Sequence, residues 1–243
     1  MSEYAPGQFE ININHSDALN ACLNGVLFRR LVRECARATG RRATFMAKPA
    51  GGISGSGMHL HLSLVDKNGG FVFVDEDKLK AAVAGVLAVL PESMAFYAPY
   101  DNSYRRFVPG KYVPLSPSWG YENRSAAVRI PMAGGDNAKR LEFRLPGADA
   151  NPYLAATAIL AGVHWGISQN LCPPQELSGE YRGAAQYPIS WRGALDALSQ
   201  AEILPRYINK DFIKNYLTVK ENEWRHHRDQ VSEYDITRYG AVI

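Results

Sequence analysis

Three short stretches of the sequence place acids, imidazoles and guanidiniums on one side of what read as β-strands. In HLHLS, His59, His61 and Ser63 alternate with Leu60 and Leu62. In RLEFRL, Arg140, Glu142 and Arg144 alternate with Leu141, Phe143 and Leu145, and in GQFEI, Gln8 and Glu10 alternate with Phe9 and Ile11. A strand shows successive side chains to opposite faces, so each stretch has an apolar face for a core and a polar face. An open antiparallel sheet with one wet side would explain the alternation alone. The residue types point further, because solvated strands favour Thr, Ser and Lys, whereas Glu, His and Arg are interleaved here. Uncompensated buried charge costs several kcal/mol, so such groups pair with one another or with a ligand. Carboxylate and imidazole suit a divalent cation such as Mg2+ or Mn2+. Arginines around it suit phosphate and carboxylate groups, which a planar guanidinium grips with two N–H groups. With a glycine-rich turn, that is the equipment of phosphoryl transfer. Singly the motifs are weak: GGISGSG lacks the Gly-Lys-Ser/Thr ending of a phosphate-binding P-loop, and His-x-His occurs in unrelated metal sites.

The elements that must position these residues follow from pattern. Residues 16–39 read as a helix, capped at Ser16 or Asp17, with Leu19, Leu23, Val26, Leu27 and Leu31 at helical spacing and Gly40 at its end. Residues 41–49, 71–74, 126–131 and 139–145 read as strands, and 101–118, with three prolines, as a loop. Residues 78–90 form an apolar helix expected to stop at Pro91, and Asn151-Pro152 opens another that is apolar nearly all round. Helices near 190–200 and 211–228 follow. Strands before residue 146 and helices after it give one α+β domain over 1–243, an antiparallel sheet backed by helices. The 243 residues, 46% hydrophobic and 21% charged, exclude an extensively disordered chain. A net charge of +3, with no basic run interleaved with aromatics, gives nucleic-acid binding no support. No membrane or signal segment is apparent, and Cys22, Cys35 and Cys172 read as reduced, buried thiols of a cytoplasmic protein.

In order, EYAPGQFE (3–10), KPAGGISGSGMHLHLS (48–63), YRRFVPG (104–110), ENRSAAVRIP (122–131) and RLEFRLPGADANPYLAA (140–156) resemble the catalytic domain of the glutamine synthetase family over essentially the whole chain. The resemblance implies a curved antiparallel half-barrel whose concave polar face holds the metals, backed by helices. It implies that Glu3 and Glu10 bind one divalent metal, and His59 and Glu142 a second. His61 and Ser63 would contact ATP near its adenine and ribose, with Arg129 and Arg140 on its phosphates. Arg106, Arg124 and Arg144 would hold the glutamate carboxylates and the γ-glutamyl phosphate intermediate, Arg124 and Arg144 being the catalytic pair. The Gly55 backbone would meet the amino-acid end of glutamate. The implied reaction phosphorylates the γ-carboxylate of glutamate with ATP and then forms an amide with ammonia or an amine.

Three departures qualify the resemblance. Tyr112 stands where ammonia-using members carry a flap glutamate, so the sequence is more similar to the γ-glutamylpolyamine and γ-glutamylamide branch, whose amine is larger. Ser54 replaces an asparagine at the glutamate end, which bears on whether glutamate is the acid. The family's upstream β-grasp domain and glutamate-rich metal-binding strand have no counterpart, so each metal keeps two of its ligands and the chain alone is expected to be poorly active. Family members are ring-shaped homo-oligomers with sites between subunits, an assembly expected of the intact parent rather than of the isolated chain. A non-catalytic scaffold of the same fold is the rival reading, separable by metal and nucleotide titration. A cupin-like oxygenase fails because Val65 and Asp66 stand where its glutamate would be, and the next histidine is His164.

Overall fold

The computed structural model describes residues 2–110, 113–132 and 134–242, so Tyr112 lies outside the described residues. Two long helices form the spine. Helix α2 (Glu76–Tyr97) starts at Asp75, whose carboxylate accepts from the amides of Asp77 and Lys78. Helix α4 (Pro152–Ser168) starts at Asn151, which accepts from Tyr153 and Leu154, with Pro152 in its first turn. Both are apolar on most sides, and they pack on each other along their length. A methyl group at Gly85 would lie 2.0 Å from the Gly162 carbonyl oxygen, and one at Gly166 would lie 1.9 Å from that of Ala81. The two backbones therefore touch, and only glycine fits there. Contrary to the sequence expectation, α2 does not stop at Pro91 but runs on to Tyr97. Proline removes one helical hydrogen bond, and burial of Leu90, Met94, Phe96 and Tyr97 outweighs that loss.

Above this layer lie four strands of three residues each: β1 (Leu60–Leu62), β2 (Trp119–Tyr121), β3 (Val128–Ile130) and β4 (Leu141–Phe143). Their spatial order is β1-β4-β3-β2, with β1/β4 and β3/β4 antiparallel and β2/β3 parallel. The sheet is thus mixed and open at β1 and β2, not wholly antiparallel as the alternation implied. The connection over 122–127, entered through Glu122 at φ 50°, doubles back so that β3 runs beside β2 in the same direction. The α+β class stands. Leu141, Phe143, Leu145, Val128 and Ile130 are buried on the helix side, and the Phe143 ring lies 4.8 Å from that of Tyr97. Each such side chain contributes about 1.5–3 kcal/mol through the apolar surface it removes from water.

Other expected strands take other forms. Residues 41–49 form no strand; they run extended, tied by Ser56 N to Ala47 O and by the Asn102 side chain, which bonds both the amide and the carbonyl of Lys48. Residues 72–74 form a 3-10 turn behind a tight bend at Asp66–Gly70. The Gln8–Ile11 stretch makes only an isolated bridge, Ser2 to Phe9, and Phe9 and Ile11 are exposed rather than packed on helices. Helix α1 (Ala18–Ala38) packs on α4 through Cys22 and Gly25, so Leu19, Leu23, Val26, Leu27 and Leu31 lie on its exposed side. Cys22 is buried as expected, but Cys35 and Cys172 are exposed, and all three are free. Short helix α3 (Asp101–Tyr104) lies inside the expected loop, and α5 (Trp191–Ser199), α6 (Lys210–Arg228) and α7 (Glu233–Tyr239) complete the chain. Among the described residues one helix, α2, is long and apolar enough to cross a membrane, and it is mostly buried in the core.

Candidate active site

Strand register sets the centre of the site. His61 on β1 stands opposite Glu142 on β4, and Glu142 stands opposite Arg129 on β3. Residues paired across strands share a face, so the three form one row on the side away from the helices. Arg140 and Arg144 flank Glu142 at two-residue spacing on the same face. This face is not a simply wetted surface, because its charged groups cover one another. Glu142 and Arg144 are buried.

Glu142 is the hub. Its carboxylate accepts from Arg129 Nη1 at 2.7 Å and from Arg144 Nη1, and His59 Nδ1 lies 3.3 Å away. Burial alone would raise its pKa. The hydrogen bond from His59 and the charges of Arg144 and Arg129 outweigh burial and hold the carboxyl well below the usual carboxylate range. Arg129 is shared: its Nε donates to Glu122 at 3.1 Å and its Nη2 bonds the same oxygen. Arg140 Nε donates to His61 Nδ1 at 3.2 Å, so that nitrogen is the imidazole's acceptor and the ring is neutral. Desolvation pushes the His61 pKa down in the same sense, against the pull of Glu142. Arg144 Nε donates to the Arg124 carbonyl at 3.1 Å, which links the two predicted catalytic arginines through backbone. The Arg124 side chain is exposed and lines a pocket of about 550 Å3 with Glu122, Asn123 and the 176–179 loop. Ser63 is exposed just past the end of β1.

A second group gathers under the glycine loop. Gln8 Nε2 donates to the Gly55 carbonyl at 3.0 Å and to Ser56 Oγ at 3.2 Å, pinning the N-terminal segment to this loop. That anchor brings Glu10 beside Glu3 and within electrostatic reach of His59. The Glu10 pKa is raised, first by a hydrogen bond with the Glu3 carboxyl, then by partial burial and the Glu3 charge. Arg106 is buried behind Gly55, where a methyl group would stand 2.6 Å from Arg106 Cγ and 2.8 Å from the Ala47 carbonyl oxygen. Glycine at 55 is therefore a requirement of space, and the loop backbone stays close to the arginine.

Every predicted site residue other than Ser63 and the Arg124 side chain falls into these two linked groups. Among the described residues no three His, Cys, Asp or Glu side chains converge as a complete metal cluster. The donors form two pairs, Glu3–Glu10 and His59–Glu142. Both fit a hard divalent cation in type, and the Glu3–Glu10 pair most clearly, since two carboxylates forced together need a shared proton or a cation. Glu122, Ser103 and Asp149 escaped the sequence reading although each lies in or beside a motif; nothing in the pattern showed that Glu122 would hold Arg129.

Residues 1–239 match the family model described as glutamine synthetase, catalytic domain. The chain belongs to the glutamine synthetase family. It is 42% identical over 245 residues to γ-glutamylputrescine synthetase of Escherichia coli, covering 97% of this chain and 52% of that protein. It is 33% identical to glutamate–isopropylamine ligase of a Pseudomonas species, over 100% of this chain and 55% of the ligase. With glutamine synthetase of Methanocaldococcus jannaschii it shares 33% identity over 98% of this chain and 56% of that enzyme. The chain thus spans about half the length of the curated relatives it matches. Within this glutamine synthetase domain, the motifs that carry the resemblance supply both halves of the site: the glycine loop with Arg106, and the row through Glu142.

Proposed function

We propose that this chain is the catalytic part of an ATP-dependent carboxylate–amine ligase that joins the γ-carboxyl of glutamate to an amine. The observation that carries the reading is the row of His61, Glu142 and Arg129 on adjacent strands, with Arg140 and Arg144 beside it. It combines a depressed-pKa carboxylate with guanidiniums whose forks match phosphate oxygens. Arg129 and Arg140 bind the phosphates of ATP, and His61 and Ser63 lie toward its nucleoside end. Arg106 and the Gly55 backbone hold the amino-acid end of glutamate. Arg124 and Arg144 sit where negative charge accumulates as the γ-carboxylate oxygen attacks the terminal phosphorus and the bond to ADP breaks. The amine nitrogen then attacks the acyl carbon of γ-glutamyl phosphate, inorganic phosphate leaves, and the amine loses a proton. Phosphorylation matters because a free carboxylate is a poor acyl donor.

Glu3 with Glu10, and His59 with Glu142, would hold Mg2+ or Mn2+, which when bound supplies charge neutralisation at the phosphate oxygens. Each pair contributes two donors, fewer than the six such cations take. The isolated chain therefore binds its substrates but turns them over slowly. The names of two relatives specify putrescine and isopropylamine, which supports an amine larger than ammonia. The three free thiols and the requirement for ATP support a cytoplasmic setting.

The test is calorimetric titration of the chain with a non-hydrolysable ATP analogue and L-glutamate, with and without Mg2+. Phosphate release is then followed with ammonium, isopropylamine and putrescine. Metal-dependent nucleotide binding with slow, amine-dependent release is expected. Absence of nucleotide binding under every metal condition overturns the reading in favour of a scaffold.

A further inference from the structure

Arg106, proposed to bind glutamate, is buried within electrostatic reach of Asp149, which Ser103 holds. The side chain is only 4% exposed, and burial pulls its pKa down to about 10 against the opposing charge of Asp149. Nη1 donates to the Leu145 carbonyl at 3.0 Å, while Nε is buried with no hydrogen-bond partner. Asp149 has the complementary problem. Its Oδ2 accepts from Ser103 Oγ at 2.6 Å, and its Oδ1 is buried and unpartnered. The two groups face each other across Gly147 within electrostatic reach rather than as a direct ion pair: a methyl group there would lie 2.1 Å from Asp149 Oδ1 and 3.3 Å from Arg106 Nη1. At the other end of the guanidinium, a methyl group on Gly57 would lie 3.0 Å from Nη2 and 3.5 Å from His59 Nε2. One edge of Arg106 thus faces the acid, and the opposite edge faces the side of the site that holds His59. The other cation near Asp149 is Arg29 on α1, and Tyr187 also lies near Arg106.

We propose that Asp149, fixed by Ser103, is a positioning residue for Arg106: its buried counter-ion, which holds the guanidinium so that the Nη2 edge is presented to the carboxylate of the amino-acid substrate. This rests on the assignment of Arg106 to glutamate. A buried guanidinium left without a counter-charge is strongly destabilising. Ser103 matters because it fixes the carboxylate through one oxygen and leaves the other for the arginine. Gly57 and Gly147 leave the slot open at both ends.

Asp149→Asn keeps the shape and an acceptor for Ser103 but removes the charge. It is expected to weaken L-glutamate binding about tenfold or more, as for a buried charge pair that loses one partner. Affinity for the ATP analogue with Mg2+ should change less than about twofold, while the melting temperature should fall, because the buried Arg106 loses its counter-charge. Ser103→Ala should move glutamate affinity in the same direction by a smaller factor. A denaturation cycle with Arg106→Met, Asp149→Asn and the double variant reads the pairing without any ligand, and non-additive midpoints are expected. Unchanged glutamate affinity in Asp149→Asn, equal losses of glutamate and nucleotide binding, or additive midpoints would each overturn the proposal. A parent chain that binds nucleotide but no glutamate would instead refute the assignment of Arg106, removing the substrate role of Asp149 with it, while the cycle still decides whether the two charges pair.

Discussion

Glu142→Gln tests the electrostatic hub with one proton's worth of chemistry. The side chain keeps its size and one carbonyl oxygen, but Arg144, Arg129 and His59 lose their shared anion. Arg144 suffers most, being 92% buried with its Nη1 on Glu142, whereas Arg129 retains Glu122. Removing one partner from a buried pair costs about 3–5 kcal/mol. The surviving Glu122 contact places the expected loss near the lower end, about 3 kcal/mol, a large share of the roughly 5–15 kcal/mol that holds a domain folded. The pH dependence has a definite sign. The carboxyl pKa is depressed in the folded chain, so its contribution is complete above the unfolded value of about 4.3 and is lost as pH falls toward the folded value. Urea denaturation from pH 7.5 down to pH 3 should show the parent and Glu142→Gln separated by a constant gap that narrows only below about pH 4. A gap under about 1 kcal/mol at pH 7.5, or one that closes between pH 7 and 5, would refute the argument.

Further predictions follow from spacing and charge. Gly55→Ala forces a methyl group against Arg106 Cγ and the Ala47 carbonyl, so glutamate affinity should fall in calorimetry and stability should drop by about 1–3 kcal/mol. Gly166→Ala pushes α4 off α2 at a backbone contact, and urea denaturation should show a loss at or above the top of that range, with no selective effect on any ligand. Mg2+ should raise the melting temperature of the parent, because a cation relieves the Glu3–Glu10 repulsion. Glu10→Gln should be less responsive to Mg2+ in the same scan, and an equal response would place the cation elsewhere.

What the sequence revealed and what it hid divide along physical lines. Alternation found the faces of β1 and β4, because Leu141, Phe143 and Leu145 are fully apolar and Arg140, Glu142 and Arg144 fully charged. Caps found the start of α4 at Asn151-Pro152. Periodicity could not say which side of α1 packs, since the leucine stripe is the more apolar one, yet small Cys22 and Gly25 allow close approach to α4. A proline could not reveal that α2 continues, because the stabilisation comes from a core that only the folded chain assembles. The parallel pairing of β2 and β3 follows a turn that opens at Glu122 with φ 50°, a left-handed residue that no local pattern marks. At the candidate site the clustering of acids, imidazoles and arginines was legible from motifs, whereas the supporting contacts made by Glu122, Ser103 and Asp149 span 7 to 46 positions of sequence and need the fold to bring them together.

The central claim is that the polar sheet face and the glycine loop together form one site for a nucleotide triphosphate and its cations. A crystal structure of the chain grown with Mn2+ and a non-hydrolysable ATP analogue, with anomalous scattering recorded for manganese, addresses it directly. Manganese peaks between Glu3 and Glu10 and between His59 and Glu142, with the triphosphate against Arg129 and Arg140, are predicted. Manganese and nucleotide ordered together on any other surface, with those side chains left bonded only to one another, would contradict it.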